Sequence, residues 1–149
     1  MPTLEWTQRQ IYKLGFSNIE VIEDPNLDYA PQAFAEFHIN EPSIIWISSG
    51  VLDMSKDGIT MMMAHEVGHI IHGHKKKPRI RSITMRKMEK EADKFAKYLM
   101  REQGWTEKRL NKAFKESLGM TESEWNSCES VVSRFYPSWN EVWDNWYNT

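Results

Sequence analysis

The chain has 149 residues, 40% of them apolar and 12% aromatic, which is enough for one hydrophobic core and too few for two independent ones. Its single cysteine, Cys128, excludes an intramolecular disulfide and cannot build a thiolate metal site alone, so any bound metal must rest on histidine and carboxylate. The net charge of −2 says little, because the charge is unevenly spread.

One domain over residues 1–149 is expected, with no repeat, low-complexity segment or linker to divide it. No run approaches the roughly 18–20 apolar residues that cross a bilayer, and the opening MPTLEWTQRQ lacks the basic and apolar regions of a secretory signal. A soluble, cytoplasmic protein is therefore expected.

Thr3 to Leu14, closed by Gly15, reads as a first helix, and Asn18 to Ile22 as a short strand before the breaker Asp24, Pro25, Asn26. Phe34 to Ile39 and Ser43 to Ser48 are apolar, partly β-branched runs separated by Asn40, Glu41 and Pro42, which predicts a hairpin with a short loop. From Asp57, the expected N-cap, to His72, the residues Ile59, Met63, Val67 and Ile71 recur at helical spacing and predict a helix with one buried face, stopped by Gly73. A second helix from Thr84 to Met100 is expected to bury Met85, Met88, Ala92, Phe95 and Leu99 and to end at Gly104. Leu110, Phe114 and Leu118 mark a third. Thr121 and Glu124 open another that carries Trp125, Cys128 and Phe135, and Ser138 and Glu141 open the last. Strands first and helices later imply an α+β domain.

His65-Glu66-Val67-Gly68-His69 places two imidazoles one helical turn apart, where both can reach one ion. Glu66, one position round, can address a water in an open coordination position instead of ligating. A catalytic zinc normally takes three protein ligands, and the third donor should come from a neighbouring element. Glu89 in Glu89-Lys90-Glu91-Ala92-Asp93 is the candidate, with Asp93 on its face to receive an outer histidine N–H and with small Ala92 and Ala96 permitting close approach. Glu91, about 200° round the helix, should point away and is the fallback ligand if the helix is rotated.

These residues resemble the gluzincins, whose signature is an HExxH helix followed by a glutamate ligand on a second helix. His65, Glu66 and His69 match the first motif, and Glu89, Ala92 and Asp93 match the ExxAD form of the CAAX-prenyl-protease and HtpX-like branch. SIIWISSGVL from Ser43 to Leu52, Ala64 before His65, and Gln103-Gly104-Trp105 extend the likeness over about residues 34–118, leaving 119–149 as a helical extension. Members of that branch are commonly membrane-embedded, so prenylated or membrane substrates are not carried over. ImmA/IrrE-type metallopeptidases, which usually have Asn where this chain has Asp93, are the second resemblance.

The resemblance implies a zincin-like fold: a small mixed sheet packed on the HExxH helix, followed by a Glu-bearing helix and C-terminal helices. It further implies a zinc metalloendopeptidase with one Zn2+ on His65, His69 and Glu89, Glu66 as catalytic base, and a peptide or protein substrate paired along a sheet edge. The competing expectation is a zinc-stabilised regulatory or protein-binding module with a non-catalytic HExxH site.

Several features carry a plainer and a sharper meaning. Ten Lys or Arg lie between Lys75 and Lys97; they read first as a solvated face and second as an attractor of acidic partners, and no nucleic-acid motif accompanies them. His72 lies near the face of His65 and His69. For an oxyanion stabiliser His74, Tyr98, Arg134 and Tyr136 are all open, and Met61, Met62 and Met63 read as packing. Trp139, Val142, Trp143 and Trp146 form an apolar stripe that either closes the core, or covers the cleft or contacts a partner, a second copy of the chain included.

Overall fold

The computed structural model describes residues 2–74, 82–118 and 139–148, with the side chains of residues 82–85 and 139 excepted. The first helix, α1 (Leu4–Lys13), starts where the Thr3 side chain accepts from the Trp6 amide. It ends at Gly15, whose φ of 102° lets the Gly15 and Phe16 amides turn back to the carbonyls of Tyr12 and Ile11, the bond pair of a Schellman cap. The strands β1 (Ile19–Glu23), β2 (Ala33–Glu36) and β3 (Ser43–Ile47) follow, with Asp24 closing an Asx turn onto the Asn26 amide after β1.

The sheet order is β1-β3-β2, with β3 parallel to β1 and antiparallel to β2. Ser43, Ile45 and Ile47 on alternate positions of β3 are buried, the period expected of a strand with one face on the core. The hairpin is present, but its loop is longer than the sequence suggests. Pairing stops at Glu36 opposite Ile44, because the His38 amide donates to the Ser43 hydroxyl and its ring is held between Glu36 and Glu41 at 2.8 Å each. Local side-chain bonds here displace the strand ladder.

The two outer strands differ in a way that bears on binding. Along β1 the Gln8 side chain donates to the Ile19 carbonyl and accepts from the Val21 amide, both at 2.8 Å, so its amide group mimics a neighbouring strand. No strand among the described residues covers the outer side of β2.

After a 3-10 turn over Ser49–Asp53, α2 (Lys56–Ile71) crosses the middle of the fold. Ser55, not Asp57, is its N-cap, and its hydroxyl accepts from the Gly58 amide at 3.1 Å. Asp57 is drawn away by a two-point pair with Arg109, at 2.9 Å for each bond, while the Glu116 carboxylate takes the Ser55 amide at 2.7 Å. Both partners belong to α4 (Glu107–Ser117), so the first turn of α2 is fixed by a helix some fifty residues later.

The expectation of one buried face on α2 is also corrected. Residues 58–64 and 66–70 are all buried, and it is Ile71 that is exposed. Met62, Met63 and Val67 pack with the sheet residues Val21, Ile45 and Ile47, while Met61 and Ala64 pack with Ala96, Met100, Leu110 and Phe114 on the other side. A helix between two apolar layers has no solvent face, and the three methionines are packing residues.

α3 (Ser82–Glu102) packs against α2. Its buried positions run Met88-Glu89, Ala92-Asp93, Ala96-Lys97 and Met100, so Phe95 and Leu99 are only half-buried and the inward face carries three charged residues. The last described helix, α5 (Trp139–Tyr147), buries Val142 and Trp146. Trp146 stacks on Phe114 with ring centroids 3.9 Å apart, donates to Asn111 at 2.8 Å, and its carbonyl accepts from Lys97 at 2.5 Å. Burial of one large apolar side chain is worth about 1.5–3 kcal/mol, and here Trp146 closes the core instead of presenting a sticky patch. The expected helix over Thr121 to Phe135, Cys128 included, lies outside the described residues, as do Ser138, Arg134 and Tyr136.

Candidate metal centre

The site forms where α2 and α3 come closest. A Cβ at Gly68 would stand 3.0 Å from Ala92 Cα and 3.1 Å from its carbonyl oxygen, so Gly68 and Ala92 together set the spacing of the helices. The close approach foreseen for Ala92 has its partner in the glycine inside the HExxH string. Gly68→Ala brings two opposing effects. It removes the helix penalty of glycine, about 1 kcal/mol, but forces a buried backbone to yield by a few tenths of an ångström. Metal affinity is expected to fall while the unfolding midpoint changes little, a split that titration calorimetry and thermal unfolding on the same preparations would reveal; equal affinity in both proteins would refute it.

Across this contact His65, His69 and Glu89 offer one ligand atom each, all within 4.8 Å of one another, and the three could hold a metal ion. His65 Nε2 is 2.8 Å from Glu89 Oε2, His69 Nε2 is 3.1 Å from Glu89 Oε1, and the two Nε2 atoms are 3.1 Å apart. His69 and Glu89 are buried and His65 is nearly so. Burial opposes charge on His65, but Glu89 and Asp93 outweigh it and lift the His65 pKa well above the ordinary imidazole value. Burial likewise opposes charge on Glu89, yet His65 and His69 hold its carboxyl well below the usual range. A cationic His65 therefore faces an anionic Glu89, and a divalent ion would take the place of that proton.

Each imidazole is held from behind. His65 Nδ1 donates to Asp93 Oδ1 at 2.7 Å, the outer contact expected of Asp93. His69 Nδ1 shares a 3.0 Å hydrogen bond with His74 Nδ1, and His74 Nε2 bonds Glu91 Oε2 at 2.9 Å. Glu91 thus faces His74 instead of the three converging atoms, and α3 is not rotated toward the fallback arrangement. His72 is turned away too, with Nδ1 on the Gly68 carbonyl at 2.8 Å.

Sequence reasoning missed the His69–His74–Glu91 chain, although a signal for it existed. Gly73 has φ 63°, its amide bonds Ile70, and the His74 amide returns to the His69 carbonyl at 2.9 Å. That is the Schellman cap again, and it brings the second residue past the helix end against the residue five before it. A glycine between them was enough to foretell that His74 would meet His69.

Glu66 is 5% exposed, and its Oε2 is buried without a hydrogen-bond partner. Buried acceptors left this way are rare and costly. Of the residues considered for oxyanion stabilisation, His74 is engaged by His69 and Glu91, and Tyr98 is 62% exposed.

The sequence model of peptidase family M48 matches residues 6–85, from α1 through the HExxH helix into the start of α3, stopping short of Glu89. No curated protein and no solved structure matches the chain. With more than half its length matched, and a small mixed α+β fold that brings two histidines and a glutamate together, the chain belongs to peptidase family M48, a family of metallopeptidases.

Proposed function

We propose that the chain is a zinc-dependent metalloendopeptidase of the gluzincin type, nearest the CAAX-prenyl-protease and HtpX-like branch, in which His65, His69 and Glu89 hold one zinc ion and Glu66 is the general base. The observation that carries this reading is the buried, unpartnered Oε2 of Glu66, one residue from a converging His, His, Glu donor set. A metal that merely braced the fold would give no reason to bury a carboxylate oxygen without a partner.

The donor set fits zinc. Two imidazoles and a carboxylate are the protein ligands of a catalytic zinc pattern, and His65, His69 and Glu89 would hold the ion. Their ligand atoms already converge, at separations of 2.8–3.1 Å. Asp93 on His65 and His74 on His69 fix the rings and raise ligand basicity.

Bound zinc supplies Lewis-acid polarisation of the scissile carbonyl and makes water a stronger acid. Glu66 accepts the proton of the attacking water and returns it to the leaving nitrogen. An extended substrate pairs with β2, the sheet edge that Gln8 does not occupy, and its backbone amides supply the missing ladder bonds. The test is digestion of an unfolded polypeptide by the full chain. Cleavage is expected with zinc, is lost on chelation and returns when zinc is restored; zinc-loaded protein that cleaves no unfolded polypeptide would overturn the proposal.

A further inference from the structure

Beside the metal centre, α3 turns four cations toward an open cleft of about 430 Å³, lined by Arg86, Lys87, Lys90 and Lys94 together with Glu91 and, from α5, Glu141. Elsewhere on the helices Arg101 holds Glu107 and Arg109 holds Asp57. In the cleft, none of the four makes a side-chain ion pair or hydrogen bond with another of the described residues, and Arg86 Nε is buried with no partner. Arg86 and Lys90 are half-buried, so they are not simply a solvated face. A buried guanidinium nitrogen without an acceptor is as costly as an unmatched carboxylate, and an oxyanion would satisfy it.

The cleft adjoins the chemistry through Glu91. That carboxylate bonds His74 at 2.9 Å and His74 bonds His69 at 3.0 Å, so with two imidazole rings intervening the wall of the cleft lies roughly 10 Å from the converging ligand atoms, about three residues of extended chain. Because Glu91 is directed at His74, its charge is partly spent there, and the cations prevail.

We infer that this cleft is a specificity subsite that takes an acidic side chain of the peptide substrate, about three residues from the scissile bond. The inference rests on the peptidase reading and narrows its substrate class. The guanidinium of Arg86 and the ammonium groups of Lys90 and Lys94 receive the carboxylate, while Lys87 adds to the field that draws it in.

The experiment uses zinc-loaded full chain and peptide sets that differ at one position, Glu, Gln or Lys, with that position moved along the peptide. At one distance from the cleaved bond Glu is expected to be favoured about tenfold in kcat/KM, mainly through KM, and salt should erode the preference. In Lys90→Glu/Lys94→Glu the preference should pass to Lys; the milder exposed-site variant Lys87→Gln/Lys94→Gln should weaken it in a protein with unchanged thermal unfolding. Peptides cleaved without any preference for Glu would overturn the subsite alone. In parallel, anisotropy of a labelled Glu-rich decapeptide reads binding without turnover: binding lost in the Lys90→Glu/Lys94→Glu protein, in the absence of any cleavage, would sink the peptidase reading and leave an acidic-peptide site. Equal competition by an oligonucleotide of the same charge would overturn the inference in favour of a general polyanion surface.

Discussion

Glu66→Gln is expected to lower peptide hydrolysis by about 10²- to 10⁴-fold, the range contributed by a positioned general base, while zinc content and thermal unfolding stay at their wild-type values. The amide has the shape of the carboxylate and cannot accept the proton. Because Glu66 Oε2 has no hydrogen-bond partner, the substitution breaks no protein contact at that atom, and Glu66 lies outside the three converging donors. Structural loss and chemical loss are therefore separable at this position. Rates from single-turnover cleavage, set beside metal content per chain, decide the matter. An unchanged rate would move the base elsewhere, and loss of zinc would make Glu66 a ligand.

The second large effect is expected at Glu89. Glu89→Ala should weaken zinc binding by more than the roughly 10- to 100-fold that loss of an outer hydrogen-bond partner costs, because it removes a donor that both histidines already face at 2.8 and 3.1 Å. Thermal unfolding with and without zinc is the measurement. Zinc at 100 times its dissociation constant should stabilise the wild type by about 2.7 kcal/mol, and the variant should show no such shift at the same concentration. In the metal-free variant His65 keeps Asp93 but loses the Glu89 carboxylate that also favours its charged form. Glu91→Ala is the control: its carboxylate reaches the site only through His74, so most of the zinc-induced shift should remain. If Glu91→Ala abolished the shift and Glu89→Ala kept it, the ligand assignment would be reversed. Metal uptake displaces the proton on His65, so the zinc-induced shift in the wild type should also shrink as the pH is lowered.

The family match covers only part of the site: it includes His65, Glu66 and His69. The M48 match ends at residue 85, so Glu89, Glu91 and Asp93 rest on the packing of α3 against α2 alone. That packing is fixed by Gly68 against Ala92 and by the apolar pairs around Met61, Ala64, Ala96 and Met100. Among the described residues no helix is long and apolar enough to cross a membrane.

What the sequence determined by itself is what depends on neighbours along the chain. Four-residue spacing puts His65 and His69 on one side of any helix that contains them, and Gly15, Gly73 and Gly104 mark helix ends because each adopts positive φ. Even the meeting of His69 with His74 was latent in that local geometry. The tertiary structure decided what depends on distant partners. Ser55 caps α2 because Arg109 of α4 claims Asp57. α2 has no solvent face because a sheet and two helices enclose it. Glu89 and not Glu91 faces His65 and His69 because apolar packing sets the rotation of α3, burying Glu89, Asp93 and Lys97 where apolar periodicity alone had pointed to Phe95 and Leu99. The unmatched oxygen of Glu66 and the cations of the cleft, unpaired among the described residues, are likewise invisible along the chain, because satisfaction of a polar group is a property of everything packed around it.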